Sequence, residues 1–501
     1  MSNTKNYVAK SFGWSVIAKL INSAIQFFSV PLLLNYFGID NFGLITLAIS
    51  INAYLSILEM GVNTGGVKFY SEWIENKKFD LLDSVARTSI SFYGIIGIVN
   101  SLVLVVLAFW GIHFFNISID QGIELRKMFL ILALFSVVNW STSVFNQLII
   151  ANEGFYYTQQ VNIIKNVLIL VLLGVTIFFH LNLTEYFIWF SLINSVIFFP
   201  LYIKSKKQLL VTSFIPAFDW LNFRIVFKYS LAIIAMSIFQ MSATQLRPVI
   251  LSVYSTTGIG ILSEYRIMET ICLFIISIGG VFTSIFLPKT SKLLLENDKS
   301  KIQNFIYSST LDISIICLVL ALPFILSGKE ILSIYVGVNY TYLYPWLVVW
   351  IFTVIFQLHT SPVASLILAT GKTKMLVYSS AIACIVSLII NAFFTSWLGV
   401  GSAVLGYAVY IVIQISFYYL YFNNKILNLD SWKIFKSFLI PTLLGIIALG
   451  IVLLLNIKVS NLIVFAVLKT SIWGILFFGL LLLTKTLSFM KLQKLITSLK
   501  K

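Results

Sequence analysis

Pro31-Leu32-Leu33-Leu34, followed by Gly43-Leu44, returns about 217 residues later as Pro248-Val249-Ile250-Leu251 and Gly260-Ile261, with no gap. A second echo has nearly the same offset: Leu148-Ile149-Ile150-Ala151-Asn152 against Leu366-Ile367-Leu368-Ala369-Thr370. The 501-residue chain is 59% hydrophobic and 10% charged, more apolar surface than a soluble fold hides, so its solvent is largely lipid. In such a chain a long-period repeat predicts two membrane bundles facing each other, an arrangement transporters use with the site between the halves.

The apolar runs are continuous and do not alternate with period two, which favours helices over a barrel. About fourteen spans of roughly 20 residues are predicted. Their limits are 11–36, 42–65, 85–110, 127–150, 157–180, 184–203, 228–252, 258–287, 304–327, 344–369, 374–397, 401–423, 435–456 and 461–484. With the N-terminus inside, the inside loops carry about 25 Lys or Arg and the outside loops about four, so both termini are expected to be cytoplasmic. The inside set includes Lys68, Lys77 and Lys78; Lys204, Lys206 and Lys207; Lys289, Lys292, Lys299 and Lys301; and the tail ending Lys500-Lys501. The first apolar run is too long for a signal-peptide core and lacks a small-residue cleavage motif, so it reads as a spanning helix.

Six spans per copy is an even number, so both copies enter the membrane from the same side and the repeat is parallel. The expected class is all-α: two parallel six-helix bundles in pseudo-two-fold arrangement plus two C-terminal helices. The expected division is residues 1–203 for the first bundle and 204–227 for a basic cytoplasmic linker. The second bundle is 228–423, and 424–501 holds the two extra helices and a basic tail. The net charge of +16 lies in short loops between spans, which points to a membrane and away from nucleic acid. Cys272, Cys317 and Cys384 fall inside apolar segments and are odd in number, which argues against disulfides and a metal site. No loop reaches the size of a catalytic or nucleotide-binding domain, and no cofactor is expected.

Polar residues recur at helical spacing inside apolar spans. Ser15, Lys19, Asn22, Gln26 and Ser29 share a face of the first span; Asn52, Ser56, Glu59 and Asn63 share one on the second. The fourth has Ser136, Asn139, Ser143 and Asn146, and the seventh Ser237, Gln240, Thr244 and Arg247. Such faces either glue helices together or line a wet cavity. Arg247 and Arg266 lie within spans, where a planar guanidinium grips an anion with two bonds; the alternative is an internal ion pair with Glu264 or Glu269. Lys19 sits roughly 12 Å from the inner end of its helix and Glu59 roughly 10 Å, whereas Arg247 and Arg266 are roughly 8–12 Å from an outer end. Lys165 and Lys469 are expected to snorkel to the headgroups, and His180 and His359 to be interfacial. Pro31 and Pro248, at matching places near the outer ends of the first and seventh spans, are candidate hinges.

The stretches Leu32 to Leu44, Glu59-Met60-Gly61, Glu264 to Pro288 and Leu368 to Lys374, with Asn391 and Gly399 to Ala403, together give the chain a resemblance to the polysaccharide flippases of the multidrug/oligosaccharidyl-lipid/polysaccharide exporter superfamily, the O-antigen-translocase type. Leu32-Leu33-Leu34-Asn35-Tyr36-Phe37-Gly38 through Phe42-Gly43-Leu44 resembles that family's first-to-second-helix turn. Glu59-Met60-Gly61 stands where the family commonly has Asp-x-Gly. Glu264-Tyr265-Arg266 to Phe286-Leu287-Pro288 resembles its eighth helix. Leu368-Ala369-Thr370-Gly371-Lys372-Thr373-Lys374, with Asn391 and Gly399-Val400-Gly401-Ser402-Ala403, resembles its tenth-to-twelfth-helix pattern.

The resemblance implies a substrate, an oligosaccharide joined through pyrophosphate to a polyprenol, moved from the cytoplasmic to the outer leaflet of a bacterial cytoplasmic (inner) membrane for polysaccharide biosynthesis. Lys19, Arg247 and Arg266 would meet the pyrophosphate. Asn22, Gln26, Asn52, Asn139, Asn146, Gln240 and Thr244 would meet sugar hydroxyls. The resemblance also implies coupling to H+ or Na+, with Glu59 and Glu269 as candidates, and a polymerase and other glycan-assembly proteins as partners. Cation-coupled drug efflux is a rival within the superfamily. A membrane glycosyltransferase or polymerase is a rival of another class, against which stand the short outer loops and the lack of a metal-binding pair or nucleophile–base arrangement.

Overall fold

In the computed structural model, residues 2–283, 286–296, 298–371, 374–455 and 459–487 are described, with the backbone alone for 2–9, 58–61, 232, 236, 287, 288 and 295. Among the described residues eighteen α-helices follow one another: α1 Ser2–Leu55, α2 Ile57–Glu75, α3 Phe79–Phe109, α4 Ile119–Ala151, α5 Phe155–Phe179, α6 Leu183–Val196, α7 Phe198–Lys207, α8 Trp220–Tyr254 and α9 Ile261–Thr283. Then come α10 Phe286–Leu295, α11 Lys299–Leu326, α12 Gly328–Tyr335, α13 Tyr344–His359, α14 Ser361–Thr370, α15 Lys374–Leu398, α16 Gly401–Phe417, α17 Ser431–Leu454 and α18 Leu462–Leu483. A π-helical stretch, Tyr418–Ile426, continues α16.

Twelve helical stretches among the described residues are long and apolar enough to cross a membrane, and the bent α8 makes thirteen. The first, Lys10–Leu55, has 46 residues. That is about 70 Å of helix against about 30 Å of hydrocarbon. Gly38 divides it, with φ 81 and ψ 172, a conformation open to glycine because it has no Cβ. Divided there, α1 supplies two crossings, and every span expected from hydropathy overlaps a helix.

Polar caps fix several helix starts, where backbone N–H groups have no partner in the preceding turn. Ser118 with Gln121 and Asn182 with Glu185 form capping boxes at α4 and α6. Asp219, Asp298, Asp430 and Asn461 cap α8, α11, α17 and α18.

The chain forms two compact units. The first comprises Met1–Ile267 and Cys384–Ala403. In it α3 packs along α4, α2 along α8, and α1 along α5 and α8. The basic segment before α8 is bound to α3: Thr212 donates to Asp83, Arg87 Nε to the Ile215 carbonyl at 3.0 Å, and Ser91 to the Ala217 carbonyl at 2.6 Å. The two copies of the repeated turn meet each other in this unit. A Cβ on Gly43 would stand 2.4 Å from the Ile259 carbonyl oxygen, and one on Gly260 would stand 3.1 Å from Asp40 Oδ1. Ser263 Oγ donates to the Ile39 carbonyl at 2.5 Å. Matched sequence therefore performs matched packing, each glycine letting the other copy's backbone or its neighbour approach.

The second unit comprises Met268–Ala383 and Val404–Lys501. There α11 packs against α13 and α17, α10 against α14, and α18 against α17 and α12. Two sequence expectations are corrected here. His359 is not interfacial: it is buried, its Nε2 is 2.9 Å from the Tyr419 hydroxyl, and its ring stacks on Phe438 at 4.2 Å. Lys469 does not reach outward as a lone cation. Its Nζ lies 3.4 Å from Glu330 Oε1, both side chains being largely covered, and 4.1 Å from the centre of the Phe465 ring. A carboxylate on the neighbouring α12 is a better partner than the headgroup region.

Candidate functional site

The polar face of α4 divides into glue and cavity. Ser136 donates to the Gly97 carbonyl and accepts from Asn100 Nδ2, both at 3.0 Å, which ties α4 to α3 with no room for a ligand. One and more turns further on, Asn139, Thr142, Ser143 and Asn146 line a cavity of about 360 Å³ inside the first unit. The latter half of α1 contributes Ile49, Asn52 and Ala53 to its wall. Helix α5 contributes Thr158, Val161 and Asn162, and α6 contributes Phe190, Ser191 and Asn194. Ile197 and Leu201 close the end where α4 finishes and α5 begins.

Five carboxamides and four hydroxyls thus converge from four helices, and none of the described lining residues is charged. Part of this polarity is spent on the scaffold. Asn139 Oδ1 accepts from Ser195 Oγ at 2.8 Å, Asn194 Nδ2 donates to the Phe190 carbonyl at 2.8 Å, and Thr142 and Thr158 bond back to their own helices. Asn52, Asn146 and Asn162 make no side-chain hydrogen bond among the described residues, and the buried Ser191 hydroxyl has no protein partner. The arrangement can satisfy a ligand with many hydroxyl or amide groups.

Of the residues predicted from sequence, Asn52, Asn139 and Asn146 are brought together here. Lys19, Asn22 and Gln26 lie on the first half of α1, with Lys19 exposed, and do not line the cavity. Gln240 is exposed on α8, and Thr244 turns its hydroxyl back to the carbonyls of Gln240 and Met241. Arg247 is 2% exposed, and its backbone carbonyl accepts from Asn391 Nδ2 at 3.3 Å. Asn391 in turn holds Ser402 at 3.0 Å, so two positions singled out in the sequence form one buried network with Thr395. Arg266 and Glu269 are half-buried on α9. Glu59 lies outside the described side chains, as do Met60, Gly61, Leu287 and Pro288, and Lys372 and Thr373 lie outside the described residues.

Pro31 and Pro248 are both inside continuous helix. The breaks lie elsewhere: at Gly38 in α1, and between Ala235 and Ser237 in α8, where the axis turns by 47°. At Gly38 the cause is the backbone conformation itself.

Sequence reasoning missed Thr158, Asn162, Ser191 and Asn194. Their spacings of four and three are the same signal that marked α4, on helices whose overall apolarity drew attention away from it. It also missed Gln147, which is buried and donates to Asn63 Oδ1 at 2.5 Å and to the Tyr93 hydroxyl at 2.8 Å, holding α2, α3 and α4 together.

No protein-family model and no curated protein sequence matches this chain significantly. Solved structures do. The lipid II flippase MurJ in an inward closed conformation matches with a TM-score of 0.76 and 16% identity, over 93% of this chain and 97% of that one. An inward-facing multidrug resistance MATE family transporter of the MOP superfamily matches with a TM-score of 0.62 and 13% identity, over 80% of this chain and 96% of that one. The MATE multidrug transporter DinF-BH, solved as a complex, matches with a TM-score of 0.61 and 13% identity, over 84% of this chain and 95% of that one. At these identities the likeness is one of fold: the chain has the architecture that these flippase and multidrug-transporter structures share.

Proposed function

We propose that this chain is a flippase that carries a polyprenyl-pyrophosphate-linked oligosaccharide from the inner to the outer leaflet of a bacterial cytoplasmic membrane, by alternating access. The observation that carries the reading is the end-to-end likeness to the lipid II flippase, which extends over 93% of this chain where the two multidrug transporters stop at 80% and 84%. The chain's chemistry agrees. A pyrophosphate crosses hydrocarbon only if cations replace its water, and Lys19, Arg247 and Arg266 are three cations on membrane helices. The basic inside loops favour an orientation with both termini in the cytoplasm. In that orientation the end of the cavity near Leu201 faces the side where the substrate is made.

With the inside negative, outward movement of an anion is favoured by about 2.3 kcal/mol per charge per 100 mV. Glu59 and Glu269 are our candidates for coupling any remaining work to H+ or Na+. A polymerase and the enzymes that assemble the glycan are the partners this reading requires.

The test compares cells with and without the chain. Flippase activity raises surface glycan and leaves the efflux of cationic dyes unchanged. Dye efflux with no change in surface glycan would establish the multidrug reading instead.

A further inference from the structure

We propose that the cavity of the first unit is a sugar pocket, which takes an uncharged pyranose ring of the carried glycan; this rests on the glycan reading above. The lining is built for a ligand that both donates and accepts. Asn52, Asn146 and Asn162 come from α1, α4 and α5 and leave three carboxamides uncommitted, each with two N–H donors and one carbonyl acceptor. The Ser191 hydroxyl, on α6, is 2% exposed and without a protein partner. A buried polar group left in that state is destabilising unless something enters to satisfy it.

Neighbouring ring hydroxyls have the matching property, since each donates one hydrogen bond and accepts others. Val161 and Phe190 supply apolar surface for the C–H faces of a ring. The volume of about 360 Å³ falls in the range of small-molecule sites, which is about 300–1,000 Å³.

Charge sets the specificity. With no cation among the described lining residues, the cavity cannot repay the dehydration of a carboxylate or phosphate, whereas it can replace the hydrogen bonds of a neutral pyranose while Val161 and Phe190 cover the ring faces that an open-chain polyol lacks. The pocket therefore discriminates against uronic acids. The charged linkage of the substrate is left to cations outside the cavity.

The experiment uses the full chain in nanodiscs, free of sugar-based detergent, with Asn146→Cys introduced after Cys272, Cys317 and Cys384 have been replaced by Ala. The rate of labelling by a neutral maleimide is followed with glucose, N-acetylglucosamine, glucuronate or sorbitol at one concentration. A neutral pyranose slows labelling, whereas glucuronate and sorbitol do not, and a cysteine at Gln240 is unprotected. Asn162→Leu or Ser191→Val weakens the protection by about tenfold, the effect of one or two lost hydrogen bonds.

If no sugar protects, or if sorbitol and glucuronate protect equally, the cavity holds water only and the proposal falls. Should the cysteine replacements unfold the protein, the native chain gives the same answer by thermal shift: a rise in Tm with the neutral sugar alone supports it, and no rise refutes it. Neither arm contains lipid-linked substrate. A protected pocket in a protein that moves no lipid keeps the pocket and removes the flippase, and an unprotected pocket in an active flippase does the reverse.

Discussion

At the scale of single residues, the charged groups sort by the partners the fold brings them. Asp219 caps α8 and accepts from Ser84 Oγ at 2.5 Å and from Asn222 Nδ2 at 2.7 Å, and these hydrogen bonds hold its carboxyl below the ordinary value. A lowered folded-state pKa stabilises fully above the ordinary carboxylate range and loses that contribution as pH falls through the lowered value. Asp219→Ala should therefore cost about 1 kcal/mol near neutral pH, a typical N-cap effect, and progressively less in acid. Thermal melts of wild type and variant across pH will show the gap closing toward low pH; a gap that widens there would reject the assignment. Lys469 and Glu330 should couple in a double-mutant cycle by about 0.5–3 kcal/mol. Lys469→Met alone is the worst variant, because it strands a carboxylate, and adding Glu330→Gln recovers part of the loss. Additive single effects would show that the pair contributes nothing. Neither partnership was legible in the sequence, since Glu330 is 139 positions from Lys469 and lies on a short helix of its own.

At the scale of elements, every span expected from hydropathy overlaps a helix, because lipid enforces continuous apolar runs whatever the packing. It did not locate the breaks. Helix α8 turns between Ala235 and Ser237, where the sequence offers no Pro or Gly to announce it. The repeat was more informative than its length suggested, since Gly43, in α1 beyond the Gly38 break, packs on Ile259, and Gly260, in the turn before α9, packs on Asp40. Gly43→Val should lower stability by about 1–3 kcal/mol, the usual cost of overpacking, because its Cβ meets backbone that cannot step aside. Gly13→Ala, with nothing within 4 Å of its new Cβ, is the control and should be neutral or slightly stabilising. Equal effects of the two in a thermal assay would refute the close approach. The polar stripes were legible as stripes. What each does was not, because Ser136 and Asn146 share one face of α4 yet one packs against α3 and the other lines the cavity.

At the scale of the whole molecule, we propose that the neutral, amide-rich cavity and the cations outside it divide the work that an amphiphilic glycan demands. Sugars need replacement hydrogen bonds, the pyrophosphate needs replacement counter-charges, and the prenyl tail can remain in lipid. Arg247 is the group on which the account leans most, buried on α8 with its backbone held by Asn391. The direct measurement is in proteoliposomes loaded with a fluorescent polyprenyl-pyrophosphate-linked oligosaccharide, scored by its exposure to a membrane-impermeant quencher. The wild-type chain should speed exposure well above protein-free vesicles and leave a neutral phospholipid alone, and Arg247→Ala, with an unchanged thermal melt, should return exposure to the protein-free rate. Wild-type exposure no faster than in empty vesicles, or full activity in Arg247→Ala, would contradict the account.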